Sequence, residues 1–190
     1  MIITVLIIIG VILVLLFASA IAFGAPFLPT LRKRVADAFE LLDLAPGQTL
    51  LELGSGDGRI LRAAAQRGVK SIGYEINPLL VVWSMLINVR YRKLITVRWR
   101  NFWHVPLEPA DAVYVFLLDP YMKKLDNKIV QEAKNPIKVV SFAFAFPGHK
   151  PIKQINGQML YKMGAAEPKA NATAKTSKIK TLRSPANKLP

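Results

Sequence analysis

From Glu52 to Gly58 the chain reads Glu-x-Gly-x-Gly-x-Gly, with Ser55 and Asp57 in two of the gaps. Glycines at this spacing, behind the apolar run Leu50–Leu53 and ahead of a helix-forming stretch, let backbone N–H groups come close to an anion or nucleotide. The dinucleotide-binding pattern needs glycine three positions after Gly56, where Arg59 stands, and a P-loop needs Gly-Lys-Ser/Thr, which is absent. Glu75 lies twenty-one residues after Gly54 at the end of the next apolar run. A carboxylate there accepts both hydroxyls of a ribose. On its own a glycine-rich turn also serves as a tight strand-to-helix connection, and Glu52 alone is also readable as a structural acid.

The elements that must position these residues alternate. Val35–Leu44 has helical apolar spacing, "APGQT" (45–49) is a turn, and Leu50–Leu53 suits a buried strand. Arg59–Arg67 predicts a helix stopped by Gly68. Strands follow at Lys70–Glu75, Leu94–Trp99, Asp111–Leu118 and Ile137–Phe146. Asn77–Arg92 between them reads as a helix with Asn77 as N-cap and Pro78 at its first position, and Tyr121–Ala133 reads as another. Asn156-Gly157 between two short runs predicts a closing hairpin over 152–162. The pattern is α/β: a mostly parallel, doubly wound sheet with an antiparallel edge. The region before the hairpin is too short for a further full helix. Trp83 and Trp99 read as core or interface residues.

Residues 2–23 form an uncharged apolar run long enough to span a hydrocarbon core of about 30 Å. It exceeds the usual apolar length of a cleaved signal and has no basic residue before it, so an uncleaved anchor over 1–23 is expected. Arg32, Lys33 and Arg34 follow it, which sets the domain on the cytoplasmic side. The remaining organisation is a linker with a basic flank over 24–34, one domain over 35–164 and a disordered basic tail over 165–190. The net charge of +14 favours anionic partners, either lipid headgroups or nucleic acid. With no cysteine, disulfides, thiolate metal sites and a cysteine nucleophile are excluded, and His104 and His149 stand alone, so no metal is expected.

"LELGSGDGRI" followed by "GYEINP" resembles the class I S-adenosylmethionine (SAM)-dependent methyltransferases. The hydrophobic N-terminus, "GSGDGR" at Gly54–Arg59 and "GYE-x-NP" at Gly73–Pro78 are most similar to the membrane-anchored lysine methyltransferases. These include the enzymes acting on the ATP synthase c-subunit and the adenine nucleotide translocase. The resemblance covers about residues 31–162. It implies a Rossmann-like methyltransferase sheet, SAM as cofactor, and a lysine of a membrane-associated protein as acceptor. Gly54, Ser55, Gly56 and Gly58 would pass beneath the methionine part and ribose. Glu52 would face the amino group directly or through water, and Glu75 the ribose. Asn101 stands where the family usually has the Asp that meets adenine, and Phe102 or Trp103 would stack on the ring.

Lysine transfer requires a neutral amine, so a hydrogen-bond acceptor at a dry edge is needed. "LLDPYM" (Leu117–Met122) supplies Asp119 as that acceptor and Tyr121 as a pocket wall, although Asp119 also reads as a cap for the following helix. "NVRYRKLITVRWR" (Asn88–Arg100) has five Lys/Arg, no acid and interleaved aromatics, which keeps nucleic-acid methylation open as an alternative. A non-catalytic membrane scaffold that retains the fold is the third reading.

Overall fold

The computed structural model describes residues 1–22 and 32–164, without the side chains at 12, 13, 15–22 and 32. Most of the expected linker and the whole expected tail lie outside the described residues. The elements run α1 (Ile2–Ala22), α2 (Arg32–Leu42), β1 (Thr49–Leu53), α3 (Arg59–Ala65), β2 (Lys70–Glu75), α4 (Pro78–Ile87), β3 (Ile95–Trp99), β4 (Ala112–Val115), α5 (Asp119–Glu132), β5 (Ile137–Phe142), β6 (Lys153–Ile155) and β7 (Gln158–Met163). Seven strands form one sheet in the order β3-β2-β1-β4-β5-β7-β6. Strands β1 to β5 are parallel, and β7 runs antiparallel to both β5 and β6. The order reverses between β1 and β4, so a crevice opens beyond their C-terminal ends. The glycine segment leaves β1 at that point.

Alternation along β1 decides what lies where. Leu51 and Leu53 face one layer with Val113, Val115 and the α5 residues Met122, Leu125 and Ile129. Leu50 faces the other, with Ala38, Leu41 and Leu42 of α2 and Ile60 and Ala64 of α3. By the two-residue period Glu52 shares the face of Leu50, and helix α3 covers it.

Boundaries moved for identifiable reasons. Helix α2 begins at Arg32, inside the span expected to be linker. The helix expected through Arg92 stops at Ile87, followed by a 3-10 turn at Val89–Tyr91. Strand β5 stops at Phe142, not Phe146, because Ala143 adopts φ 71° and the Ser141 hydroxyl donates to the Phe144 carbonyl at 2.6 Å. No helix stands between β5 and β6. That loop is held instead by His149 Nε2, 3.0 Å from Asp126 Oδ1 on α5. Between β3 and β4 the chain is pinned by buried Lys128, whose ammonium donates to the Val105 carbonyl at 2.6 Å and pairs with Glu132 at 2.7 Å.

Helix α1 is one uncharged helix of 21 residues, about 30 Å long. Among the described residues no helix is long and apolar enough to cross a membrane, so the anchor expected over 1–23 is not shown.

The residue that starts α3 comes close to α4 at one point. Gly58 has φ +72°, and a β-carbon there would sit 2.1 Å from Ser84 Oγ and 2.7 Å from Asn88 Nδ2. Gly58→Ala therefore carries both a clash and a left-handed strain, and is expected to cost about 2–4 kcal/mol in urea unfolding. Adding Ser84→Ala removes the contact with Oγ but leaves the one with Asn88 Nδ2 and the left-handed strain, so the double variant recovers only part of the loss.

Candidate active site

The loop after β1 is left-handed at three alternate positions: Gly54 at φ 87°, Gly56 at 53° and Gly58 at 72°. Its N–H groups are mostly spent inside the protein. Gly54 and Ser55 both donate to the Tyr74 carbonyl at 2.9 Å, and Gly58 donates to the Ser55 carbonyl at 2.8 Å. Gly56 donates to Glu75 Oε2 at 2.8 Å. The loop thus differs from the anion cradle expected of it: it offers backbone surface without β-carbons rather than a row of free donors. Space above Gly54 is open, with nothing within 4 Å of where a β-carbon would lie.

Two acids end the neighbouring strands. Glu75, buried at the end of β2, also accepts from the Ile76 and Asn77 N–H groups, both at 2.8 Å on Oε1. Asn77 in turn caps α4 by accepting from Leu79 at 3.0 Å. Glu52 is 5% exposed, and its Oε2 has no hydrogen-bond partner among the described residues; the same holds for the buried Ser55 Oγ. Burial, then the charges of Asp57 and Glu75, raises the Glu52 carboxyl well above its ordinary 4.5, and the Leu61 N–H and Arg59 oppose this. A buried carboxyl with an unpaired oxygen is costly as it stands, and a cationic or donor-bearing group that reached it would relieve the cost.

Asn101 ends the turn after β3, and its carbonyl oxygen accepts from the Trp103 N–H at 3.0 Å, capping the short helix Phe102–His104. The oxygen expected to meet a base is thus already engaged once. Asn-x-Trp is a side-chain cap signal, and it stands in the sequence. Phe102 and Trp103 stand 4.5 Å apart, and Trp103 stands 6.3 Å from Tyr121. Lys124 lies 4.4 Å over the Trp103 ring. The structure therefore joins the candidate adenine contact and the candidate acceptor wall in one aromatic row through Trp103, a grouping that spacing along the chain does not suggest. Asp119 is the first residue of α5, exposed; Leu118 is the N-cap, without a side-chain bond, so Asp119 is not the cap.

Residues 52–153 match the family model of the ANTKMT methyltransferase domain. The chain belongs to this family. A human lysine N-methyltransferase of the ATP synthase c-subunit is 32% identical over 138 residues, 66% of this chain and 54% of the relative. The chain spans about half the length of that relative. A protein-lysine N-methyltransferase of Saccharolobus islandicus is 31% identical over 142 residues, 70% of this chain and 88% of the relative. Among solved structures, an RNA methyltransferase of Salinibacter ruber with S-adenosyl-L-homocysteine superimposes with a TM-score of 0.69 at 27% identity, over 74% of this chain and 97% of that one. The fold is the Rossmann-like methyltransferase sheet.

Because Glu52 binds its proton more tightly when folded than unfolded, stability is highest below about pH 4.5 with respect to this group. It falls as pH rises from there through the raised folded value. Glu52→Gln removes this cost. By differential scanning calorimetry the ligand-free variant is expected to melt roughly 3–6 °C higher at neutral pH, with a flatter dependence on pH.

Proposed function

We propose that this protein is a membrane-anchored SAM-dependent methyltransferase that methylates a lysine amine on a membrane-associated protein. The cofactor is S-adenosylmethionine. The observation that carries this reading is the pair of buried carboxylates, Glu52 and Glu75, on adjacent strand ends around a left-handed glycine loop. The unpartnered Glu52 Oε2 has the charge to match the ammonium group of the methionine part, and the open space over Gly54 fits its close passage. A loop whose N–H groups are largely satisfied suits a cofactor without phosphates. After its three backbone bonds Glu75 keeps one acceptor site, on Oε2, for a ribose hydroxyl, and Phe102 flanks the adenine with Asn101 on its edge.

When bound, the cofactor supplies an electrophilic methyl group on a sulfonium, and the acceptor nitrogen must bring its lone pair in line. The protein's task is alignment and drying. A lysine amine is protonated in water, with a pKa of about 10.4, so the site must favour the neutral form. Asp119 accepts a hydrogen bond from the amine, fixing its direction and taking up the positive charge that develops there. Tyr121 and Trp103 wall the approach and exclude water.

The lysine acceptor is supported by the lysine N-methyltransferase names of the relatives, one of them matched over 88% of its length. Anchoring is supported by the uncharged 21-residue helix α1, and cytoplasmic placement of the domain by Arg32, Lys33 and Arg34 after it. The acid-free basic run Asn88–Arg100 and the likeness to an RNA methyltransferase support a second reading, methylation of RNA.

Incubating the full chain with methyl-labelled SAM and membranes from cells lacking it separates the two. Label released by protease and mapped to lysine is the expected result; label released by nuclease replaces it with the second reading. Glu75→Gln should weaken SAM binding about tenfold or more by calorimetry. Asp119→Ala should keep SAM affinity and lower turnover, and full turnover in that variant removes Asp119 from the acceptor role.

A further inference from the structure

Helix α4 is apolar at every position except Ser84, and it buries completely only Val81 and Ser84. Leu79, Val82, Trp83, Met85 and Leu86 are 48–65% exposed, and Val89 in the next turn is 63% exposed. A surface helix of a water-exposed domain ordinarily turns polar residues outward. Here the outward face is a continuous apolar strip. Trp99, 65% exposed on the edge strand β3, extends it, and its indole N–H donates to the Ile76 carbonyl at 2.9 Å, which holds the ring against the start of α4. Beside the strip a cavity of about 280 Å³ opens between α4 and β3, apolar at Met85, Val89, Ile95 and Val97 and cationic at Arg92.

The charge around this face has one sign. No acid occurs between Glu75 and Glu108, whereas Arg90, Arg92, Lys93 and Arg100 are exposed. Exposed apolar side chains, tryptophan and a cationic rim are together the chemistry of a surface that rests in a bilayer interface. A second copy fits less well, since an isologous contact would bring the same cations face to face. Nucleic acid would leave Leu79, Val82 and Leu86 without a counterpart.

We infer that the outer face of α4, with Trp99 and the Arg90–Lys93 cations, docks on an anionic lipid bilayer. The docking is separate from any span by α1. It brings the C-terminal end of β2, and with it Glu75, to the level of the headgroups. Where the methyl-transfer reading holds, the acceptors served would be lysines at the membrane surface.

The test uses the full chain with Trp99→Phe and Trp103→Phe, which leaves Trp83 as the only tryptophan. It is reconstituted with phosphatidylcholine vesicles with or without phosphatidylglycerol, brominated near the top of the acyl chains. In anionic vesicles Trp83 emission should shift to the blue and be quenched at least about twofold, and quenching should be weaker in neutral ones. Arg90→Glu, Arg92→Glu and Lys93→Glu together should abolish the quenching while the protein still floats with the vesicles and binds labelled SAM as well as the same chain without these three substitutions. Unquenched Trp83 in protein that floats overturns the docking and leaves the anchor intact. Equal quenching in neutral vesicles or in the charge-reversed variant overturns the anionic surface. A doubled mass with Trp83 shielded from iodide in the absence of vesicles gives the face to a second copy. Absence of SAM binding in the unsubstituted full chain, with quenching retained in the tryptophan variant, would count against the methyltransferase reading alone.

Discussion

One buried carboxylate organises this end of the sheet. Glu75 receives the Gly56 N–H on one oxygen and the Ile76 and Asn77 N–H groups on the other, all at 2.8 Å. Through the first bond it fixes the loop after β1. Through the others it turns the chain at the end of β2 and sets Asn77 to cap α4. A loop with three left-handed residues has few ways to hold its shape without such a tie, because glycine loses the most conformational freedom on folding. The crevice at the strand-order reversal is shaped by this side chain before any ligand arrives.

Glu52 sits near it under opposite terms. Glu75 is satisfied by three backbone donors, whereas Glu52 is desolvated and left with an unpartnered oxygen. Two acids of the same type thus take different parts because of what surrounds them. One stabilises the backbone. The other stores an unfavourable interaction that a ligand of suitable charge would relieve.

Much of this is legible from residue types. Strand β2 falls on Lys70–Glu75 as expected because both ends are marked, by Gly68 before it and Asn77-Pro78 after it. The hairpin at Asn156-Gly157 and the missing helix before it are legible for the same reason: turn chemistry and length leave little choice. What the sequence hides depends on three-dimensional placement. Helical spacing shows that α4 is apolar, not whether its outer face is covered, so Trp83 reads as core or interface and proves to be exposed. Local competition hides more: Asn101 caps its own turn, and Ala143 takes a left-handed conformation that ends β5 four residues early. The joining of Phe102, Trp103 and Tyr121 across β3 and α5 needs the fold itself.

The contact of Gly58 with Ser84 has a mechanical meaning. Gly58 meets the Ser84 side chain with no β-carbon between them, and Arg62 braces the junction by donating to Asn88 Oδ1 at 2.8 Å, so the start of α3 is tied to α4 at this one point. A shift of α4 at Ser84 would therefore be felt directly at the residue that closes the glycine loop.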